Sequence, residues 1–314
     1  MQQVGYILET ICVVPLGAFI SLLPWKTGRA FGRIAGTLAF YLNRRDKGRA
    51  YDNLDIIFAE NPLSGEEKDR IIKKLFMNIA SGVFEYFKIG SITDKNYLQF
   101  VRIENYEAID RALDEKKGVL AITAHIGNWE LLGSVGAKLR GNVGTIIKRQ
   151  YNPYTDKWLK NIRERKGRVK CFYDESSIIT HIAKHLKQNG ILAILADTSS
   201  HYKPIFVPFF GVQSATADGP AKLHLWYEAP IVLSFCVKQG DGKYLLSFDG
   251  PHHFKKSGDF KKDREVIMTW INQKYEELIR KYPDQWFSIL TPRWEPRPED
   301  FKTIPGVPAN SLGV

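Results

Sequence analysis

The chain has 314 residues, 44% of them apolar, and 45 Lys and Arg stand against 34 Asp and Glu for a formal net charge of +11. That length and apolar content fit one large α/β domain, or a core with an added subdomain, and they allow a sizeable hydrophobic interior. The excess of positive charge calls for an anionic partner: a phospholipid surface, a phosphorylated substrate, an acidic carrier protein or nucleic acid.

Nucleic acid is disfavoured, because there is no zinc-finger spacing, no aromatic RNA-binding signature and no long basic tail. Cys12, Cys171 and Cys236 show neither paired nor metal-like spacing, which excludes a disulfide framework and points to a reduced compartment.

In chain order, residues 6–25 are apolar apart from Glu9 and are interrupted by Pro15. They barely reach the roughly 20 residues a spanning helix needs. Phe31 to Leu42 is a second apolar stretch, and Trp25, Phe40 and Tyr41 suit headgroup depth. Arg44, Arg45, Lys47 and Arg49 follow at once. Residues 1–50 therefore read as a membrane-attaching helical region. A single spanning helix and a pair of buried core helices are the rival forms.

Residues 51–97 read as a helical segment packed on the core. Ser64 and Glu67 have the spacing of a capping box. Ile71, Ile72, Leu75, Phe76, Ile79 and Val83 recur at helical spacing and form a core stripe. The aromatic end, Phe84, Tyr86 and Phe87, fits simple packing or the wall of an acyl groove.

From residue 98 the pattern becomes α/β. Strands are predicted at Phe100–Ile103, Gly118–Thr123, Val143–Lys148, Val169–Phe172, Ile191–Ala196, Ile231–Val237 and Tyr244–Phe248. Helices are predicted at Tyr106–Asp114, Trp129–Leu139, Tyr154–Lys166, Ser176–Lys187, Ala217–Glu228 and Phe260–Lys281. Such alternation predicts a mixed, mostly parallel central sheet flanked by helices over 98–295. Phe206 to Phe210 reads as an exposed aromatic patch around Pro208, and residues 296–314 as an irregular tail.

Ligands of such sheets bind beyond the carboxyl ends of the strands. His125, Arg149 and Asp197 each follow a predicted strand closely, so three strand ends can converge on one crevice. The run His125-Ile-Gly-Asn-Trp-Glu130 is the most informative. Imidazole titrates near neutrality and is the default group for taking a proton from an alcohol. A carboxylate five residues on does not share a helical face with it, so His125 must precede a helix that carries Glu130 and that Asn128 can cap. Glu130 is then placed to orient the ring. Asp197 competes for that role, since a carboxylate ending an apolar strand needs a partner. Its other reading is a turn cap with Ser199 and Ser200.

The 125–130 run resembles the H-x4-D/E signature of glycerolipid acyltransferases. Its setting is similar to the lipid A biosynthesis acyltransferase family and its phosphatidylinositol mannoside acyltransferase relatives. Asn53-Leu54, Arg149 with Asn152, Leu195-Ala-Asp197 and Phe206-Val-Pro-Phe-Phe-Gly211 resemble family stretches, as do Thr216-Ala-Asp-Gly219, Arg293-Trp294 and Arg297-Pro298. Thr198 stands where family members often carry glutamine. The family's histidine before the Arg-Trp pair is not evident in Trp286 to Trp294.

The resemblance implies a glycerolipid-acyltransferase-like fold and transfer of a fatty acyl group from an acyl carrier protein or CoA thioester to a lipid A precursor or related glycolipid. His125, Glu130 and Asp197 would be catalytic, and Lys148, Arg149, Asn152 and Asn128 substrate-binding. The acceptor would be an acylated, phosphorylated glucosamine disaccharide, and the place of work the cytoplasmic face of a bacterial inner membrane. No resident cofactor is implied, and no G-x-S-x-G elbow suggests an acyl-enzyme. Lysophospholipid, mannosylated-lipid or aminolipid acceptors are the alternatives. A basic lipid- or nucleic-acid-binding protein with a structural histidine is the reading from another class. His181 and His185 have zinc-compatible helical spacing but no third ligand nearby, so no metal is expected. His252 and His253 fall in a loop.

Overall fold

The computed structural model describes residues 2–200 and 203–295. The predicted irregular tail, and with it Arg297-Pro298, lies outside the described residues.

Four helices lead the chain: α1 (Gln2–Leu22), α2 (Trp25–Leu42), α3 (Arg44–Ile57) and α4 (Gly65–Phe87). Then come β1 (Val101–Glu104), α5 (Glu107–Asp114), β2 (Val119–Thr123), α6 (Trp129–Arg140) and β3 (Val143–Ile147). They are followed by α7 (Pro153–Asn161), β4 (Lys170–Tyr173), α8 (Ile178–Lys187), β5 (Ile191–Leu195), β6 (Ile205–Phe209) and β7 (Val212–Thr216). Last are α9 (Gly219–Tyr227), β8 (Ile231–Lys238), β9 (Tyr244–His252) and α10 (Phe260–Lys281).

Seven strands form one sheet in the order β1-β9-β8-β2-β5-β3-β4. Every pairing is parallel except β8 with β9, so the sheet is mixed and mostly parallel. β2 lies in its middle and every one of its residues is buried, as its unbroken apolar run requires when both faces are covered. Alternate residues feed two cores. Val119 and Ala121 pack with Ile109, Leu131 and Val135 on the α5–α6 side. Leu120 and Ile122 pack with Leu223, Met268, Tyr275 and Trp286 on the other.

The segment around Pro208 is not an exposed patch. It is a two-stranded antiparallel ribbon, β6 with β7, in which Val207 and Phe209 point inward and are buried. Pro208 sits outward on this ribbon, where its missing N–H is tolerated. Phe210 and Gly211, both at positive φ, form a two-residue hairpin loop. A phenylalanine in that role hides the turn from a reading based on Asn-Gly or Gly-Gly.

The N-terminal helices combine an exposed apolar surface with close packing on the helix that follows them. α1 runs unbroken through Pro15, which removes one helical hydrogen bond without ending the helix. Its Gly5–Leu22 stretch is long and apolar enough to cross a membrane and is only 12% buried. α2 turns Gly28, Gly32 and Gly36 toward α4, while Phe31, Ile34, Leu38 and Tyr41 are exposed on its other side. Phe40 is a core residue edge-on to Phe76, not a headgroup anchor. A Cβ on Gly32 would lie 2.6 Å from the Ser81 Cα, and one on Gly36 would lie 2.6 Å from the Met77 backbone nitrogen. The glycines are therefore what lets the two helix backbones meet.

Gly36→Ala is expected to destabilise the protein by about 1–3 kcal/mol, because backbone must shift to admit the methyl group. Gly48→Ala, on α3 with open space around it, is expected to raise stability by about 0.5–1 kcal/mol. Thermal unfolding of both variants in one lipid or detergent condition checks the pair.

Candidate active site

The site grows out of the register between β2 and β5. Thr123 pairs with Leu195, and two residues beyond each lie His125 and Asp197. Parallel neighbours in register therefore bring these side chains together at the carboxyl edge of the sheet. The Nδ1 atom of His125 lies 2.8 Å from Oδ1 of Asp197, and the His125 backbone N–H donates to the same oxygen at 3.0 Å. Oδ2 accepts from Trp286 Nε1 at 2.8 Å and from Ser288 Oγ at 2.7 Å. Asp197 is fully buried, and its carboxylate is spent on these four bonds. It does not cap a turn with Ser199 and Ser200.

Burial alone would raise the Asp197 pKa. The charge of His125 and the hydrogen bonds from His125, Ser288 and Trp286 outweigh it and hold the carboxyl well below its ordinary range. Burial would likewise lower the His125 pKa, but the charge and hydrogen bond of Asp197, with a smaller push from Glu130, raise it above its ordinary value. With Nδ1 committed to Asp197, Nε2 is the ring nitrogen left to the crevice that His125 lines.

Glu130 does not orient the ring. It sits one residue inside α6 and accepts from Arg163, with Nη2 to Oε1 at 2.6 Å. The strand register has already filled Nδ1, and from the first turn of α6 the carboxylate meets the segment after α7. Burial alone would lower the Arg163 pKa, but the charge and hydrogen bonds of Glu130 hold it above its ordinary value.

The remaining expected contacts divide. Lys148 lines the crevice. Arg149 is exposed, bonded to Glu175 and placed over the Tyr173 ring at 4.1 Å. Asn152 is buried, caps α7 and donates to the Tyr6 carbonyl at 3.0 Å. Asn128 is buried too: its Oδ1 caps α6 by accepting from the Leu131 N–H, and its Nδ2 donates to Glu85. Both asparagines are thus committed to caps and helix ties rather than to the crevice. His185 is a core residue with Nε2 bonded to the Ile191 carbonyl, so it is no partner for His181 in a metal site.

The crevice has a volume of about 750 Å³ and runs from His125, Trp129 and Glu130 past Arg163 to Thr198 and Pro220. Its wall at Leu132, Gly133 and Ala193 also bounds a small apolar void of about 30 Å³ beneath α6, closed by Tyr106, Ile109, Gly136, Val143 and Phe248.

Several supports of the site have roles that no local pattern in the sequence reports. Residues 285–288 clamp the histidine loop: Phe287 N–H donates to the His125 carbonyl at 2.7 Å, and Gly127 N–H donates to the Gln285 carbonyl at 2.9 Å. Gly127 has φ of +61°, and a Cβ there would fall on the Cys236 carbonyl, so only glycine fits. Tyr275 donates to the Thr123 carbonyl at 2.6 Å. Asn53 ties this clamp to α3 by donating to the carbonyls of Ile289 and Thr291. Arg293 is fully buried over the Phe209 ring at 4.5 Å, bonded to Ser214, and burial lowers its pKa to about 10. With Trp294, which donates to the Phe209 carbonyl, it pins the β6–β7 ribbon. Nothing local in the sequence links Trp286 or Ser288 to a strand end about 90 residues earlier.

At the helix end nearest His125, three backbone amides are taken. Those of Gly127 and Asn128 bond the Gln285 and Cys236 carbonyls, and that of Leu131 bonds its cap. Among the described residues, the amides of Trp129 and Glu130 have no acceptor.

Residues 4–295 match the family described as bacterial lipid A biosynthesis acyltransferase. The lipid A biosynthesis palmitoleoyltransferase of Escherichia coli (strain K12) is 23% identical over 278 residues, covering 88% of this chain and 87% of that protein. The lipid A biosynthesis acyltransferase of Shigella flexneri matches to the same extent. A phosphatidylinositol mannoside acyltransferase of Mycolicibacterium smegmatis is 22% identical over 228 residues, covering 72% of this chain and 73% of its own.

Asp197→Asn removes the charge that raises the His125 pKa. With His125 as the general base, the role proposed for it below, the wild-type rate is expected to fall as pH drops through a value above about 6.5, because a base works only when deprotonated. In Asp197→Asn that acid limb is expected to move to lower pH while the plateau drops by about 10³–10⁴-fold. The pH dependence of kcat/KM checks both.

Proposed function

The chain belongs to the bacterial lipid A biosynthesis acyltransferase family and is an acyltransferase, and from that premise we propose that it moves a fatty acyl group from a thioester to a hydroxyl of a lipid A precursor or related glycolipid. The observation that carries this reading is the His125–Asp197 pair at the edge of a crevice whose wall borders an apolar void.

The geometry supports the following chemistry. A neutral His125 keeps its proton on Nδ1, toward Asp197, and accepts the hydroxyl proton on Nε2 as the oxygen attacks the thioester carbonyl carbon. The charge that gathers on the carbonyl oxygen meets the free amides of Trp129 and Glu130 at the positive end of α6. Collapse of the tetrahedral intermediate breaks the carbon–sulfur bond. The departing sulfur takes the proton from Nε2, and the base is restored. Thiolate is a good leaving group, so no covalent acyl-enzyme is needed.

The donor in this reading is an acyl carrier protein thioester, with acyl-CoA as the alternative, and no resident cofactor takes part. Lys148 and Arg163 line the crevice, and their positive charge suits an acidic carrier or phosphate. The exposed apolar residues of α1 and α2 suit attachment to an anionic membrane, which we take to be the cytoplasmic face of the inner membrane. A glycolipid acceptor accords with both sets of relatives. The mycobacterial matches favour a mannosylated lipid as the second candidate.

The fatty tail is assigned to the crevice and the void beneath α6. Mid-helix glycine costs up to about 1 kcal/mol against alanine, yet a Cβ on Gly133 or Gly136 would meet its nearest neighbour at 3.5 or 4.0 Å, with no clash. Both glycines line the void, so a side chain longer than a methyl group there would fill it.

His125→Ala is expected to lower acyl transfer by about 10²–10⁴-fold while folding and vesicle binding persist. Mass spectrometry of glycolipid product from an acyl thioester donor checks it, and retained transfer would refute the mechanism. Gly136→Leu is expected to shift the preferred donor toward shorter chains, by about one to two carbons, as the new side chain fills a void only a water or two in size. Competition among thioesters of graded length checks this, and an unchanged profile would place the tail elsewhere.

A further inference from the structure

Glu85 of α4 is 2% exposed, yet its carboxylate is reached from three other elements. Oε1 accepts from Arg29 Nε of α2 at 2.6 Å. Oε2 accepts from Asn128 Nδ2, the cap of α6, at 2.7 Å and from the Tyr244 hydroxyl of β9 at 2.8 Å. Arg29 also donates to the Gly242 carbonyl at 2.9 Å. A buried carboxylate is costly unless paired and bonded in this way.

The consequence lies at Asn128. Its amide must turn Oδ1 to the Leu131 N–H for α6 to be capped, and Glu85, which only accepts, forces that orientation by taking Nδ2. Asn128 is also the residue just before the two free amides at the head of α6. We propose that Glu85 is a positioning residue for acyl transfer: it couples the seating of α2, whose outer face is apolar and exposed, to the orientation of the α6 amino terminus beside His125. This rests on the functional reading above and adds to it a dependence of catalysis on a surface helix that does not itself line the crevice.

Asn128→Asp is the discriminating variant. Aspartate is ordinarily as good a cap as asparagine, but here its second oxygen would face Glu85. Two touching carboxylates cannot both ionise comfortably, so one binds a proton at low pH and the pair repels once that proton leaves. The groups that interact with Glu85 are Arg29 of α2, Cys236 and Lys238 of β8 and Tyr244 of β9, while Arg33 of α2 and Asp284 in the turn after α10 act on Lys238 in turn. Arg29 is the cation that bonds the carboxylate directly.

With acyl thioester donor and glycolipid acceptor on vesicles, the kcat of Asn128→Asp relative to wild type is expected to fall by about tenfold or more between roughly pH 5.5 and 8.5, with KM little changed. Adding Glu85→Gln moves the charge to the other end of the same hydrogen bond, and the double variant is expected to recover most of the rate and lose the extra pH dependence. Arg29→Gln is expected to lower kcat without moving KM. Should Asn128→Asp not fold, the double variant is compared with Glu85→Gln alone and is expected to be the more active. An Asn128→Asp rate that follows the wild type at every pH, a double variant no better than either single one, or an unchanged kcat in Arg29→Gln overturns the proposal. A wild type that transfers no acyl group overturns the functional reading instead.

Discussion

The in-register pairing of β2 with β5 is the constraint on which the site depends. Because Thr123 faces Leu195, two more residues on each strand set an imidazole against a carboxylate. The pair is useful only because the carboxylate is sealed from water. A buried Asp197 with four donors cannot reorient, so it fixes one ring nitrogen and leaves the other to the crevice. The same burial would be ruinous for an unpaired acid, which is why Trp286 and Ser288 are as necessary to the arrangement as the histidine.

The rest of the molecule can be understood as support for that pair. Residues 285–288 clamp the histidine loop from one side, and the clamp is tied in turn to α3 through Asn53. Arg293 and Trp294 pin the β6–β7 ribbon beside it. These contacts give physical meaning to stretches that first stood out only by resemblance. The asparagine after the early basic run and the Arg-Trp pair near the end are brackets around the site and do not line the crevice. Glu85 performs a similar service for α6, with the difference that its partner Arg29 belongs to a helix whose far side is apolar and open.

Much of the α/β region was legible because its signals are local. Buried parallel strands read as short apolar runs, and each predicted strand of the large sheet lies within a few residues of an observed one. The position of His125 before a helix capped by Asn128 followed from spacing alone. Non-local choices were harder to read. His125 could meet either of two carboxylates, and strand order, which no periodicity reports, decided for Asp197 over Glu130. Arg149 and Asn152 follow a strand end as expected, but one makes an exposed ion pair and the other caps a helix. The β6–β7 ribbon escaped because its turn uses Phe210. The apolar N-terminus could be read as membrane-seeking, but the division of α2 into a glycine face against α4 and a greasy face outward is a property of packing.

The central claim is that Asp197 holds His125 as a neutral base with its proton on Nδ1 and its pKa raised. Nitrogen-15 NMR of the ring, in protein labelled at histidine and assigned by the loss of one signal in a His125 variant, tests it most directly. The account requires the Nδ1–H tautomer at high pH and a midpoint above the ordinary imidazole value of about 6.5. An Nε2–H tautomer, or a midpoint at or below that value, would contradict it.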